Sequence, residues 1–546
     1  GANGGMEEKL YNDNYASAPD GQYNVERNRE SEFNSDFLAS FTKQVATDWN
    51  LSLSAGGNIK IQRNLAVRVS TGQAMIIPNF FALSNTNLPV VTHNPGLNQD
   101  IYSLYAFGQL SWKNAVFLDV TGRNDWSSTL PADNRSYFYP SVGLSAVLSD
   151  LFTFPESVSM VRLRGSWAEV GNSANPYMVR RTASFSAGGT NGFLQLSNTL
   201  PNTNLRPERT RSTEIGLDLR FFQNRLGLDV TAYKTNTYDQ LFTVALPVGS
   251  GAREYYTNGG DVENKGIEAL ITATPVRQTH FSWDLNLNFG LNRNMVNRIS
   301  DERPRVNLTP SGFFSNFIIE EGQPFGNIYS RGFVRDEQGR VIVGTNGLPK
   351  VTSGITVLVA NFNPDWTGGI SNTLRYRNFG LSFLIEHRQG GTVASETNAI
   401  LYDDGVTEQT LVGRNGDLVF GQNVFANEVA VLEDGSPNNI AISAESFWRS
   451  IGGRSIPVGE AFVDDATNTR LRELTLDYTL PQALFNKWPI SNVQLSLVGR
   501  NLFFIYRASD HLDPDFMGGT GPSSEGTQAF TPASSRSFGL NLKVDF

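Results

Sequence analysis

The sequence predicts an all-β fold, a transmembrane antiparallel β-barrel. Three features lead there: about fifteen segments with a strict period of two, no apolar run long enough for a helical span, and connections that alternate between short and long. The closing stretch shows the period most plainly. Phe538, Leu540, Leu542, Val544 and Phe546 fall on one face, and Ser537, Gly539, Asn541, Lys543 and Asp545 on the other. Such a strand could close a soluble sandwich. With no helix to cover its apolar face, it suits a barrel whose apolar face meets lipid and whose polar face meets the lumen.

Composition allows this. Apolar residues make up 39% of the 546, below the roughly 45–50% of globular chains, while aromatics reach 11%. Half of every barrel strand is polar, so a barrel hides well in such a composition. A helical membrane protein is excluded, because a span needs ~20 apolar residues in a row. With no cysteine, a disulfide framework and thiol chemistry are excluded. The net charge of −9 comes without blocks of like charge, which argues against nucleic acid as a partner. Gly1 to Gly5 has neither the basic nor the apolar region of an export signal. The expectation is therefore the C-terminal part of a longer protein, with signal peptide and any plug domain upstream.

Residues 1–32 are polar and read as the remnant of an extracellular loop, with the barrel occupying 33–546. From Phe33 the alternation begins: Phe37, Ala39 and Phe41 share a face, then Trp49, Leu51, Leu53 and Ala55. It continues at 101–112, 114–123, 137–148, 159–169, 209–221, 225–237, 263–274, 279–292, 365–376, 379–388, 469–480, 492–501 and 535–546. In the clearest case Phe281, Trp283, Leu285, Leu287, Phe289 and Leu291 oppose Ser282, Asp284, Asn286, Asn288, Gly290 and Asn292. Each segment is near the ~10 residues of a tilted spanning strand.

Short turns at Lys113-Asn114, Gln223-Asn224-Arg225, Pro275 to Thr279 and Arg377-Asn378 alternate with long stretches at 59–100, 170–208, 238–262, 293–364, 389–468 and 502–534. That asymmetry fits periplasmic turns and long extracellular loops. Counted back from a descending last strand, Leu65, Val67 and Val69 cannot form a further spanning strand without inverting everything before them, so 65–71 is assigned to an external loop. Aromatics gather near strand ends, among them Trp49, Trp112, Trp126, Tyr137, Tyr139, Phe221, Tyr376 and Phe379, as interfacial girdles require.

Catalytic motifs are missing: there is no Gly-x-Ser-x-Gly elbow, no His-Glu-x-x-His, no P-loop and no dinucleotide fingerprint. No cofactor is expected. Asp510-His511-Leu512-Asp513-Pro514-Asp515 has oxygen ligands at calcium-like spacing but lacks the loop glycine and terminal glutamate of an EF-hand, so no metal is assigned. Asp336-Glu337-Gln338-Gly339-Arg340 reads as a turn before Val341-Ile342-Val343. Phe313, Phe314 and Phe317 are candidates for contact with a substrate or a lid, with packing inside a long loop as the alternative. Asp284, Asn286 and Asn288, with Asn292, can hydrogen-bond hydroxyls or peptide groups, though most such residues would face a plug and water.

An ordered series of stretches resembles the SusC/RagA group of TonB-dependent transporters from Bacteroidetes. Gly122-Arg123-Asn124-Asp125-Trp126-Ser127-Ser128 and Tyr137-Phe138-Tyr139-Pro140-Ser141-Val142 resemble one pair of family landmarks, with Trp126 where the family usually has Gly. Arg162 to Asn172 and Leu205-Arg206-Pro207-Glu208-Arg209-Thr210 through Asp218 resemble the next two, with Pro207 replacing an aromatic. Asn258-Gly259-Gly260-Asp261-Val262-Glu263-Asn264-Lys265-Gly266-Ile267-Glu268 is similar to a fifth, and Arg472 to Pro481 and Gly499-Arg500-Asn501-Leu502-Phe503 to the last two. The resemblance implies a plugged barrel of ~22 strands in the outer membrane. It also implies energy supplied through TonB, a SusD-like lid lipoprotein, a bulky oligosaccharide or peptide as cargo, and a dimer of transporter–lid pairs. A non-transporting barrel for adhesion or scaffolding, and a secreted β-rich glycan-binding protein, remain the alternatives.

Overall fold

The computed structural model describes every residue except 1, 12–20, 73–74, 88–89, 95, 187–191, 301–302, 310–313, 454, 456, 486, 511–512, 515–525 and 532. Two compact units emerge. One comprises 1–146, 164–213 and 236–261; the other 147–163, 214–235 and 262–546. All fifteen alternating segments lie on strands. No helix among the described residues is long and apolar enough to cross a membrane.

In the first unit, Ala2–Tyr11, Gln22–Ala46, Trp49–Ser70, Gln99–Trp112, Val116–Ser127 and Ser136–Val147 pair antiparallel, each with the next. Strand-to-strand turns are tight. At Lys113-Asn114 both residues take φ 52°, the left-handed pair whose twist matches that of the flanking strands. Trp49 lies opposite Trp112 with ring centroids 6.2 Å apart.

Two expectations are corrected here. Residues 1–32 are not loop: Ala2 to Tyr11 pair in register with Ser31 to Gln22. Residues 65–70 are not loop either, but the far end of the Trp49–Ser70 strand, with Leu65 opposite Arg29 and Ser70 opposite Asn24. The ladder bonds join backbone groups whatever the side chains are. The strands therefore continue past the point where one face stops being apolar and the period of two fades.

In the second unit Phe281–Arg298, Trp366–Tyr376, Phe379–Gln389, Asn468–Thr479, Asn492–Arg507 and Ser537–Asp545 form an equivalent antiparallel run. The long connections are also corrected. Leu226–Ala245 and Glu254–Arg277 extend so far that the 238–262 loop shrinks to 246–253. The 293–364 and 389–468 stretches are folded. They hold a four-stranded sheet (Arg305–Asn307, Ser315–Glu320, Asn327–Ser330, Val357–Asn361) and a parallel pair (Val341–Val343 with Ala430–Leu432). They also hold the helices Glu396–Asp403 and Ala444–Ile451, capped by the hydroxyls of Ser395 and Ser443.

The conventional core of the second unit lies in this loop module. Phe314, Phe317, Phe420, Phe447, Ile328, Leu418 and Ile451 are essentially inaccessible there. On the long strands the apolar residues are exposed instead: Leu476 is 50%, Leu497 59% and Leu540 74% accessible. A contiguous apolar face of this kind marks contact with something other than water.

Candidate functional site

The two faces of the strands carry different chemistry. On the polar face of Phe281–Arg298, the Asp284 carboxylate accepts a hydrogen bond from Thr274 Oγ1 at 2.8 Å and lies 3.7 Å from Arg375. Asn286 is exposed opposite Ser371, and Asn288 is exposed opposite Gly369. Asn292 donates to Asn264 (3.1 Å) and accepts from the Tyr233 hydroxyl (3.1 Å). The candidates Asp284, Asn286 and Asn288 thus share one polar wall, and Asp284 is engaged by neighbours within it.

The three phenylalanines belong elsewhere. Phe313 lies outside the described residues. Phe314 and Phe317 are 2% and 1% accessible, so the reading of them as surface contacts for a substrate or lid is corrected: they pack inside the loop module. Phe317 meets Phe325 edge-on at 5.0 Å and Phe362 at 6.0 Å. Large rings in a connection of some seventy residues supply the apolar area that lets it fold, which outweighs leaving them in water.

The module is also tied by charge. Arg335 makes a bidentate pair with Glu428 (2.7 and 3.0 Å) and reaches Glu460 at 2.7 Å. The hydrogen bonds, Glu428's first, push the guanidinium pKa still higher, so it stays charged. The Asp336–Arg340 stretch is the expected turn, with Gly339 at φ 81° and the Asp336 carboxylate accepting from the Arg340 N–H. The Arg340 guanidinium hydrogen bond holds the Asp336 carboxyl below its ordinary value. In the acidic stretch near 510, Asp510 pairs with Arg507 (3.1 Å), and Asp513 accepts from Ser534 and faces the buried Arg470 at 3.7 Å. His511 lies outside the described residues.

The structure explains several landmark stretches that sequence could quote but not connect. Asp125 accepts from Arg123 (2.8 Å) and from the Tyr139 hydroxyl, joining the first two landmarks. Glu169 pairs with Arg209 (3.0 Å) and Arg211 (3.1 Å). The Asn258 amide brackets Arg206, accepting from its N–H and donating to its carbonyl, both at 2.8 Å. Arg500 pairs with Glu473 at 2.9 Å. Gly266 is required sterically: a Cβ there would lie 2.2 Å from the Leu291 carbonyl oxygen and 2.6 Å from the Tyr233 hydroxyl. Replacing it with Ala is expected to cost about 1–3 kcal/mol of stability through overpacking, read as a lower unfolding temperature on heated gels. An unchanged midpoint would show that the strands yield.

Comparison with known proteins agrees with this architecture. A family model described as "TonB dependent receptor-like, beta-barrel" matches residues 6–502. TonB-dependent receptor P3 of Formosa agariphila is 24% identical over 486 residues, covering 83% of this chain and 46% of that protein. TonB-dependent receptor SusC of Bacteroides thetaiotaomicron is 26% identical over 412 residues, covering 68% of this chain and 37% of SusC. The chain thus spans less than half the length of these curated relatives. A solved structure of the RagAB peptide transporter superposes on 100% of this chain and 59% of its own with TM-score 0.76, at 20% identity. The stapled strands, the exposed apolar face and the match over 6–502 have one explanation: the chain belongs to the TonB-dependent receptor β-barrel family of Gram-negative outer membranes, and is of the SusC/RagA type.

Proposed function

We propose that this chain forms barrel wall and surface loops of a TonB-dependent importer that carries a bulky nutrient across the outer membrane. The observation that carries the reading is the pairing of an exposed apolar strand face with a hydrogen-bonding polar face, beside loops folded into a module with its own core. The family is one of receptors and transporters, not enzymes. Transport needs no reacting residue. It needs a polar passage, a closure above it and a moving plug.

In this reading the cargo is an oligosaccharide or a peptide, the loop module supports a SusD-like lid lipoprotein, and Asp284, Asn286 and Asn288 face plug, water or cargo. TonB acts through parts of the protein beyond this chain, and two transporter–lid pairs associate. The relatives' names, SusC and the RagAB peptide transporter, support the choice.

Gentle-detergent purification from native outer membranes, with mass spectrometry of what co-purifies, tests this. The expected result is a stoichiometric surface lipoprotein, peptides of a plug domain, and a bound glycan or peptide. A barrel recovered alone and without plug peptides would instead support adhesion or scaffolding.

A further inference from the structure

The apolar face of the second unit is not uniformly rough. Pairing register places Leu374, Leu381, Leu476, Leu497 and Leu540 in one row across five consecutive strands. One step toward the short turns runs a row of rings, Phe281, Tyr376, Phe379 and Tyr478, in which Phe379 and Tyr478 lie 4.8 Å apart. One step the other way stand Phe383 and Phe538. The leucines therefore floor a groove of about 560 Å³ with aromatic walls. Its floor crosses roughly 19 Å, at ~4.8 Å per strand, comparable with one leaflet's share of a ~30 Å hydrocarbon core.

A cation stands at its edge. Arg377, in the two-residue turn between Tyr376 and Phe379, is exposed and lies 5.5 Å over the Tyr376 ring. Its backbone N–H donates to the His280 carbonyl at 2.9 Å, which ties the turn to the preceding hairpin. An acyl-length apolar groove, continuous with the membrane-facing surface and ending beside a fixed guanidinium, is complementary to one amphiphile class. We infer that this groove binds a single anionic glycerophospholipid, one acyl chain on the leucine floor and the phosphate against Arg377. The inference rests on the membrane-facing reading of this surface. Trp283 and Asn372 adjoin the groove, and the Trp283 indole N–H donates to the Asn372 amide oxygen at 2.9 Å, which removes an unsatisfied polar group from the lipid side.

The test uses the full-length protein in phosphatidylglycerol nanodiscs, released into mild detergent and examined by native mass spectrometry. Wild type is expected to retain one phosphatidylglycerol, and L476W, which fills the groove, and R377Q, which removes the charge, to weaken retention by about tenfold each. L118W, on the apolar face of the other unit, is the control and retains the lipid. Equal retention in all four proteins overturns the inference, as does loss of the lipid in L118W. Displacement of the lipid by millimolar inorganic phosphate would show that the acyl chain contributes nothing, and would overturn it too. Flotation with phosphatidylglycerol vesicles is scored separately, because a protein that fails to float contradicts the membrane reading itself.

Discussion

Leu287→Arg is expected to block stable insertion, while Asn286→Arg, one residue away, leaves it nearly intact. Leu287 pairs with Ile370 on the apolar face. It lies six residues from Phe281 at the girdle, which at ~3.3 Å per residue and a tilt of ~45° puts it roughly 14 Å into the hydrocarbon. A guanidinium there costs ~2–4 kcal/mol on the lipid side. Asn286 points to the polar face opposite Ser371, where an arginine keeps its water. The measurement is the fraction of each variant that folds into lipid vesicles, followed by band shift on unheated gels. Should both variants insert alike, the assignment of faces is wrong.

Phe317→Ala should unfold the loop module and spare the strands. Phe317 is 1% accessible and wedged between Phe325 and Phe362. Truncation of a ring so enclosed costs ~3–5 kcal/mol, a large part of what a module this small can possess. Limited proteolysis is expected to cut within 299–364 much faster than in wild type, with an unchanged band shift for the strands. Val406→Ala, at a position 68% exposed, provides the comparison and should leave the cleavage rate unchanged. Slow cleavage of the Phe317 variant would mean that the module is held from outside, not by its own core.

Both predictions draw on features that were unevenly legible in the sequence. The alternation of Phe281 to Leu291 against Ser282 to Asn292 determined which face of each strand is apolar, because lipid or core on one side and water on the other imprints a period of two. The ordered landmarks determined the family. Where both faces are wet, as over Gln22–Glu32 and Leu65–Ser70, the imprint vanishes although the backbone ladder continues, so strand ends were misread as loop. The loop module was invisible for a related reason. Its core is assembled from Phe314, Phe317, Phe333, Phe420 and Phe447, residues far apart in the chain and without a common period. Register decided the rest. Only pairing across five strands brings Leu374, Leu381, Leu476, Leu497 and Leu540 into one row, Asp125 to Tyr139, and Glu169 to Arg209. The sequence by itself determined the faces of the strands and the family they belong to. The tertiary structure alone decided how far the strands run and what the loops enclose, because period reports a residue's solvent and only pairing sets its neighbours.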